Sequence, residues 1–146
     1  MNRDERGSIV TRAALIFASF LPVACSRAHS GAEVYPVRGE VFFKGQPATG
    51  AWVHFHPVDE EVCTPAFGQV QEDGSFQLST YGTNDGAEAG DYVVTLNWRD
   101  EIKDDENETN YGPDRFGERF SKPGKSTLEV TIAAGENVVP RFDIEE

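Results

Sequence analysis

The chain has 146 residues, enough for one domain and too few for a second core, and 13 basic against 25 acidic residues give it a formal charge of −12. Hydrophobic residues make up 38% and aromatics 11%, which excludes a disordered chain and calls for a packed core. A surface this acidic repels phosphate backbones and anionic headgroups, so nucleic acid is excluded as a partner.

In chain order, Arg3, Arg6 and Arg12 precede an uncharged apolar block at 13–24 (AALIFASFLPVA), which Cys25 closes. As a helix the block would rise only about 18 Å against a bilayer core of roughly 30 Å, too short to span. It also lacks the alternation of a helix buried along one face. A basic start, a short apolar middle and small residues at the end are the parts of a secretion signal. Leu21-Pro22-Val23-Ala24-Cys25 resembles the end of a bacterial lipoprotein signal, with Ala24 and Cys25 in place and Pro22 where leucine is usual. That resemblance implies acyl chains on Cys25 and hence a membrane anchor on an exported, periplasmic or envelope-exposed protein. Ordinary cleavage after Ala28 is the alternative, because Ser26-Arg27-Ala28 has small residues at the two recognised positions. The expected organisation is a signal over 1–24, a tether over 25–33 and a domain over 34–146. Cys63 is then a lone buried thiol, or the disulfide partner of Cys25 if Cys25 stays unmodified in an oxidising compartment.

Beyond the tether the apolar residues recur every second position. Val37, Gly39, Val41 and Phe43 alternate with Arg38, Glu40, Phe42 and Lys44 in a first strand, and Gly45-Gln46-Pro47 turns the chain. Ala51, Val53, Phe55 and Pro57 alternate with Trp52, His54 and His56 in a second. Gly68 and Val70 mark a third; Glu72-Asp73-Gly74-Ser75 is a hairpin turn leading to a fourth through Phe76, Leu78 and Thr80. A loop at 82–90 precedes the clearest strand, Tyr92, Val94, Leu96 and Trp98. Residues 99–124 are polar and acidic with little periodicity, a connection long enough to be either mobile or functional. Leu128, Val130 and Ile132 form a sixth strand; Val138, Pro140, Phe142 and Ile144 form a seventh, which Pro140 places at a sheet edge. Seven short strands with one apolar face each predict an antiparallel all-β sandwich of immunoglobulin-like or transthyretin-like type, with a closed barrel as the alternative.

Val37-x-Gly39-x-Val41, Gly45-Gln46-Pro47, Ala51-x-Val53-x-Phe55-x-Pro57, Asp73-Gly74-Ser75-Phe76-x-Leu78 and Gly90-Asp91-Tyr92-x-Val94 resemble the carboxypeptidase regulatory-like domains. The match runs from about Tyr35 to Ile144 and is most similar to small single-domain bacterial lipoproteins of that kind. It implies a seven-stranded transthyretin-like sandwich serving as an accessory or adhesive module without catalysis. Its motifs are turn glycines and core aromatics, which specify a fold and name no function.

Four side chains stand out of phase with the core. Should the first two strands form a hairpin, Phe42, Trp52, His54 and His56 share one outer face. Left bare, that face is a contact surface for an envelope protein or a sugar ring; the competing expectation is that the long 99–124 segment packs over it. His54 and His56 emerge on one side of one strand, where a metal would need a third ligand from elsewhere, so no metal and no cofactor is assigned. The acidic run Asp100–Glu108 and Asn84-Asp85-Gly86 lack the ligand spacing of a calcium loop and read as solvated loops. No Gly-x-Ser-x-Gly, phosphate-binding glycine loop or His-Glu-x-x-His occurs, and the Tyr-Arg-Gly-Ser ending of the transthyretin-like purine-pathway hydrolases is missing from Pro140–Glu146. The expectation is therefore a lipid-anchored, non-catalytic module of the cell envelope. The alternatives are a small metal-dependent or transthyretin-like hydrolase using His54 and His56, and a carbohydrate-binding module using Trp52.

Overall fold

The computed structural model describes residues 31–61 and 63–145. The expected signal and Cys25 lie outside the described residues. No described helix is long and apolar enough to cross a membrane.

Thirteen short strands occur among the described residues: β1 (Val34–Tyr35), β2 (Val37–Phe43), β3 (Gln46–Pro47), β4 (Trp52–Pro57), β5 (Ala66–Gln69), β6 (Ser75–Gln77), β7 (Ala87–Glu88), β8 (Gly90–Asn97), β9 (Glu101–Lys103), β10 (Thr109–Tyr111), β11 (Leu128–Ile132), β12 (Asn137–Val138) and β13 (Phe142–Ile144). Nine of them build two stacked sheets, while β1 with β7 and β9 with β10 pair as separate antiparallel two-stranded ladders. The first runs β11-β8-β4-β5, all antiparallel. In the second, β2 is central, with β3 and β6 antiparallel to it and β12 and β13 parallel to it.

The period-2 pattern explains which face each strand buries. Val53 and Phe55 of β4 and Tyr92, Val94 and Leu96 of β8 point inward from the first sheet; Val37 and Val41 of β2, Phe76 of β6 and Phe142 and Ile144 of β13 point inward from the second. Phe55 touches Phe76 across the gap, ring centres 6.3 Å apart, and Tyr92 within its own sheet at 5.9 Å. Each such large side chain contributes about 1.5–3 kcal/mol of apolar burial, which makes this layer the main source of stability.

Local geometry sets the turns. Lys44 and Gly45 both have positive φ (51° and 75°), the pair required by a two-residue turn that folds β3 back onto β2. The β5–β6 connection turns a corner: Phe67 and Ser79 exchange two backbone bonds (3.0 and 2.8 Å), while β6 itself joins β2 in the other sheet. Gly86 (φ 104°) lies so close to the Tyr35 carbonyl that a Cβ there would sit 1.8 Å from its oxygen, so this crossing of β1 and the β7 approach admits only glycine. Asp85 seals the adjoining loop, its carboxylate accepting the backbone N–H groups of Thr80, Tyr81 and Gly82 (2.7, 3.0 and 2.6 Å).

Three expectations are corrected. The sandwich is not wholly antiparallel: after β11 the chain crosses to the second sheet and runs beside β2 in the same direction. That seventh strand is broken at Pro140, which has no N–H to give to β2, and the break moves the alternation by one residue. Val139 is buried and Val138 exposed, the reverse of the expected phase. Finally, residues 99–124, expected as a connection of little periodicity, contain the β9–β10 hairpin. Asp104 accepts the N–H groups of Glu106 and Glu108 (3.1 and 2.9 Å) and Asn107 takes a positive φ, which together close the β9–β10 hairpin. Further on, Phe116 and Phe120 enter the core.

Candidate functional site

Trp52, His54 and His56 emerge from the outer face of the first sheet, because Val53 and Phe55 between them are fully buried. The register sets their neighbours in rows across three strands. Trp52 lies between Gln69 of β5 and Asn97 of β8; His54 lies between Phe67 and Thr95. The rings follow one another along the face. Phe67 and Trp52 have centres 6.1 Å apart, Trp52 stacks on His54 at 6.3 Å, and His54 meets His56 at 6.2 Å.

The long acidic segment does not cover this face, contrary to the expectation for a connection of its length. Its two phenylalanines turn the other way: Phe116 packs with Phe43 and Trp98 at centre distances of 5.6 and 5.5 Å, at the end of the sandwich. The β9–β10 hairpin stands instead beside the face, as a second wall. Asp114 holds it there. Its carboxylate, only 6% exposed, accepts Asn97 Nδ2 (3.1 Å), the Trp98 N–H (3.2 Å) and the Phe116 N–H (3.0 Å), with the Arg99 guanidinium 3.7 Å away. Arg115 adds a brace, its guanidinium over the Trp98 ring at 4.5 Å and paired with Asp100.

Between the two walls runs an open groove of about 760 Å³, lined by Trp52, His54, Phe67, Gln69, Arg99 and Tyr111 among others. Trp52 remains 41% exposed, Phe67 45% and Tyr111 62%. Large aromatics left this bare along one groove are uncommon on a small domain and mark contact surfaces.

Phe42 is not part of this face, which corrects the hairpin expectation. Its strand, β2, lies in the other sheet, because β3 folds back onto β2 and the chain then passes through Ala48–Ala51 before entering β4. The Phe42 ring is covered by the Arg141 guanidinium at 4.6 Å.

The two histidines differ in their engagement. His56 Nε2 is hydrogen-bonded to Thr95 Oγ1 at 2.8 Å, and Thr95 is itself buried. Burial, with a smaller contribution from the neighbouring His56, pushes the His54 pKa below its ordinary value. Burial lowers that of His56 as well, opposed by Glu60. Both imidazoles are therefore held neutral near pH 7. No group of three His, Cys, Asp or Glu able to hold a metal occurs among the described residues. In the two acidic loops, Asp85 and Asp104 are occupied with backbone N–H groups and each caps a loop. Cys63 is buried, donating to the Ala89 carbonyl at 3.5 Å, and forms no disulfide within the described residues.

Sequence reasoning missed Phe67, Arg99 and Tyr111. Phe67 carried a signal, since it stands out of phase between buried Ala66 and Gly68, as Trp52 does between Ala51 and Val53. Arg99 and Tyr111 had none, because a two-sided hairpin exposed on both faces leaves no apolar period to read.

Neither a family model nor a curated protein matches the chain. Among solved structures it is similar to a 9R-lipoxygenase from Cyanothece PCC8801 (11% identity, TM-score 0.47, 77% of this chain and 16% of that one). It is also similar to a DUF3823 family protein from Parabacteroides merdae ATCC 43184 (18% identity, TM-score 0.37, 79% of this chain and 46% of that one). The chain thus spans less than half the length of either, and likeness of this degree bears on neither ligand nor activity.

Proposed function

We propose that this chain is an exported, non-catalytic β-sandwich module of the bacterial cell envelope, anchored through acyl groups on Cys25, which binds a partner through the Trp52 groove. The observation supporting it is the row of Phe67, Trp52 and His54 left open beside a braced second wall. A solvent-facing sheet that served only to cover the core would carry polar side chains there. The hydrolase alternative draws less support, because His56 is engaged with Thr95 and no third ligand group stands with the pair among the described residues.

Two experiments test the reading. Metabolic labelling with a fatty acid should mark the wild type and not Cys25→Ser; label retained by the variant removes the anchor. Trp52→Ala with Phe67→Ser should leave the domain folded with a stability change within about 1 kcal/mol, as expected for surface positions without a packing role. A larger loss would make the aromatic row structural and end the binding-face reading.

A further inference from the structure

Resting on that reading, we propose that the groove takes an uncharged, gluco-configured pyranose oligosaccharide, stacked on Trp52 and steered by the acidic hairpin away from anionic sugars. The assignment follows from what the groove offers in three respects. First, it offers ring faces. Trp52 and Phe67 form one wall and Tyr111 belongs to the other, all substantially bare. A pyranose whose hydroxyls are equatorial presents a face of axial C–H bonds, weakly positive, which complements the negative face of an aromatic ring. A peptide side chain would be served as well by an aliphatic pocket; a sugar face is not.

Second, the polar groups beside the rings offer both acceptors and donors. Gln69 and Asn97 flank Trp52 on either side in the register. Asn97 uses one N–H of its Nδ2 on Asp114 and Gln69 one of its Nε2 on the Gly50 carbonyl, so each amide retains an oxygen acceptor and a second N–H. Glu101 contributes a further acceptor and Arg99 a donor to the same lining. Hydroxyls, which both donate and accept, satisfy such a mixture; a carboxylate or phosphate cannot satisfy the acceptors.

Third, the charge is selective. The hairpin beside the groove carries Asp100, Glu101, Asp104, Asp105, Glu106 and Glu108 against Lys103, all exposed. Among the described residues that line the groove, Arg99 is the one cationic side chain, and its charge is partly offset by Asp114 at 3.7 Å. Uronates and sugar phosphates would approach against this field, whereas neutral sugars meet no penalty.

The test is a titration of the full mature chain followed by the two indole N–H signals in a nitrogen-correlated NMR spectrum, assigned with Trp52→Phe. Three probes are used: a neutral glucose-type oligosaccharide, its N-acetylamino counterpart and a uronic-acid oligosaccharide of equal length. Either uncharged probe should shift the Trp52 indole and leave that of Trp98, which packs under Arg115, in place. Trp52→Ala should weaken this binding by about tenfold or more, and Tyr111→Ala by a smaller factor, with melting temperatures lowered by no more than a few degrees. No shift at Trp52 with either uncharged probe at about 10 mM, a range in which a Kd near 1 mM saturates, overturns the saccharide assignment. Tighter binding of the uronate overturns the charge argument and with it the assignment. Neither result touches the binding-face reading, which the stability of the Trp52 and Phe67 variants tests separately.

Discussion

Replacing Asp114 probes the brace that holds the second wall of the groove. Its carboxylate receives three donors, Asn97 Nδ2 and the N–H groups of Trp98 and Phe116, and lies beside Arg99 while only 6% exposed. Each hydrogen bond contributes about 1 kcal/mol net, and donors left without an acceptor in a half-buried site add a desolvation cost. Asp114→Ala should therefore destabilise the domain by about 3 kcal/mol. For a domain of this size that corresponds to a fall in Tm of roughly 10 °C. Asp114→Asn keeps one oxygen, enough for the two backbone donors, and turns an amide toward Asn97 Nδ2 and Arg99; its loss should be about half as large. Thermal unfolding followed by circular dichroism, at low and at moderate salt, measures both. Because the contacts are hydrogen bonds rather than surface ion pairs, the order Ala below Asn below wild type should survive added salt. A loss under about 1 kcal/mol for Asp114→Ala would refute the brace and leave the hairpin without a fixed place beside the groove.

Other consequences are equally concrete. Phe55→Ala removes a fully buried ring in contact with Phe76 and Tyr92 and should cost about 3–5 kcal/mol in chemical denaturation, against about 1 kcal/mol or less for Trp52→Ala on the outer face of the same strand. Gly86→Ala forces a side chain against the Tyr35 carbonyl at positive φ and should cost more than about 2 kcal/mol, seen as a lowered denaturant midpoint with unchanged slope. The folded chain favours neutral His54, so its pKa lies below the unfolded value of about 6.5. As pH falls through 6.5 the unfolded state takes up the proton first; stability is then full above 6.5 and declines below it toward the folded pKa. His54→Gln should remove part of that acid slope in melting temperature measured from pH 7 to pH 5, and an unaltered slope would show that His54 is not the group responsible.

Legibility tracked burial. Where one face of a strand meets the core, as at Val37–Phe43, Trp52–Pro57 and Gly90–Asn97, the alternation of side chains is enforced by packing and is written in the residues. The arrangement of strands is not. Nothing local says that β3 returns to β2 while β4 joins the opposite sheet, and it is that choice which separates Phe42 from Trp52. The parallel run of β12 and β13 beside β2 is likewise a long-range outcome, signalled only by the Pro140 break. The β9–β10 hairpin was hidden for a different reason: both of its faces are exposed, and its turn is closed by the Asp104 side chain rather than by an Asn-Gly or Asp-Gly pair. Half of the groove was therefore readable as an out-of-phase Trp52 and Phe67, and half came from a segment without any hydrophobic period.

The open Trp52 face is tested most directly by acrylamide quenching of fluorescence in the Trp98→Phe chain, in which Trp52 is the remaining indole. Emission red-shifted from that of a buried indole, with quenching intermediate between a buried indole and free tryptophan, is the expected result, since Trp52 is 41% exposed. Blue-shifted emission that resists quenching in the folded state would mean that the acidic segment lies over the indole, and the contact surface would not exist.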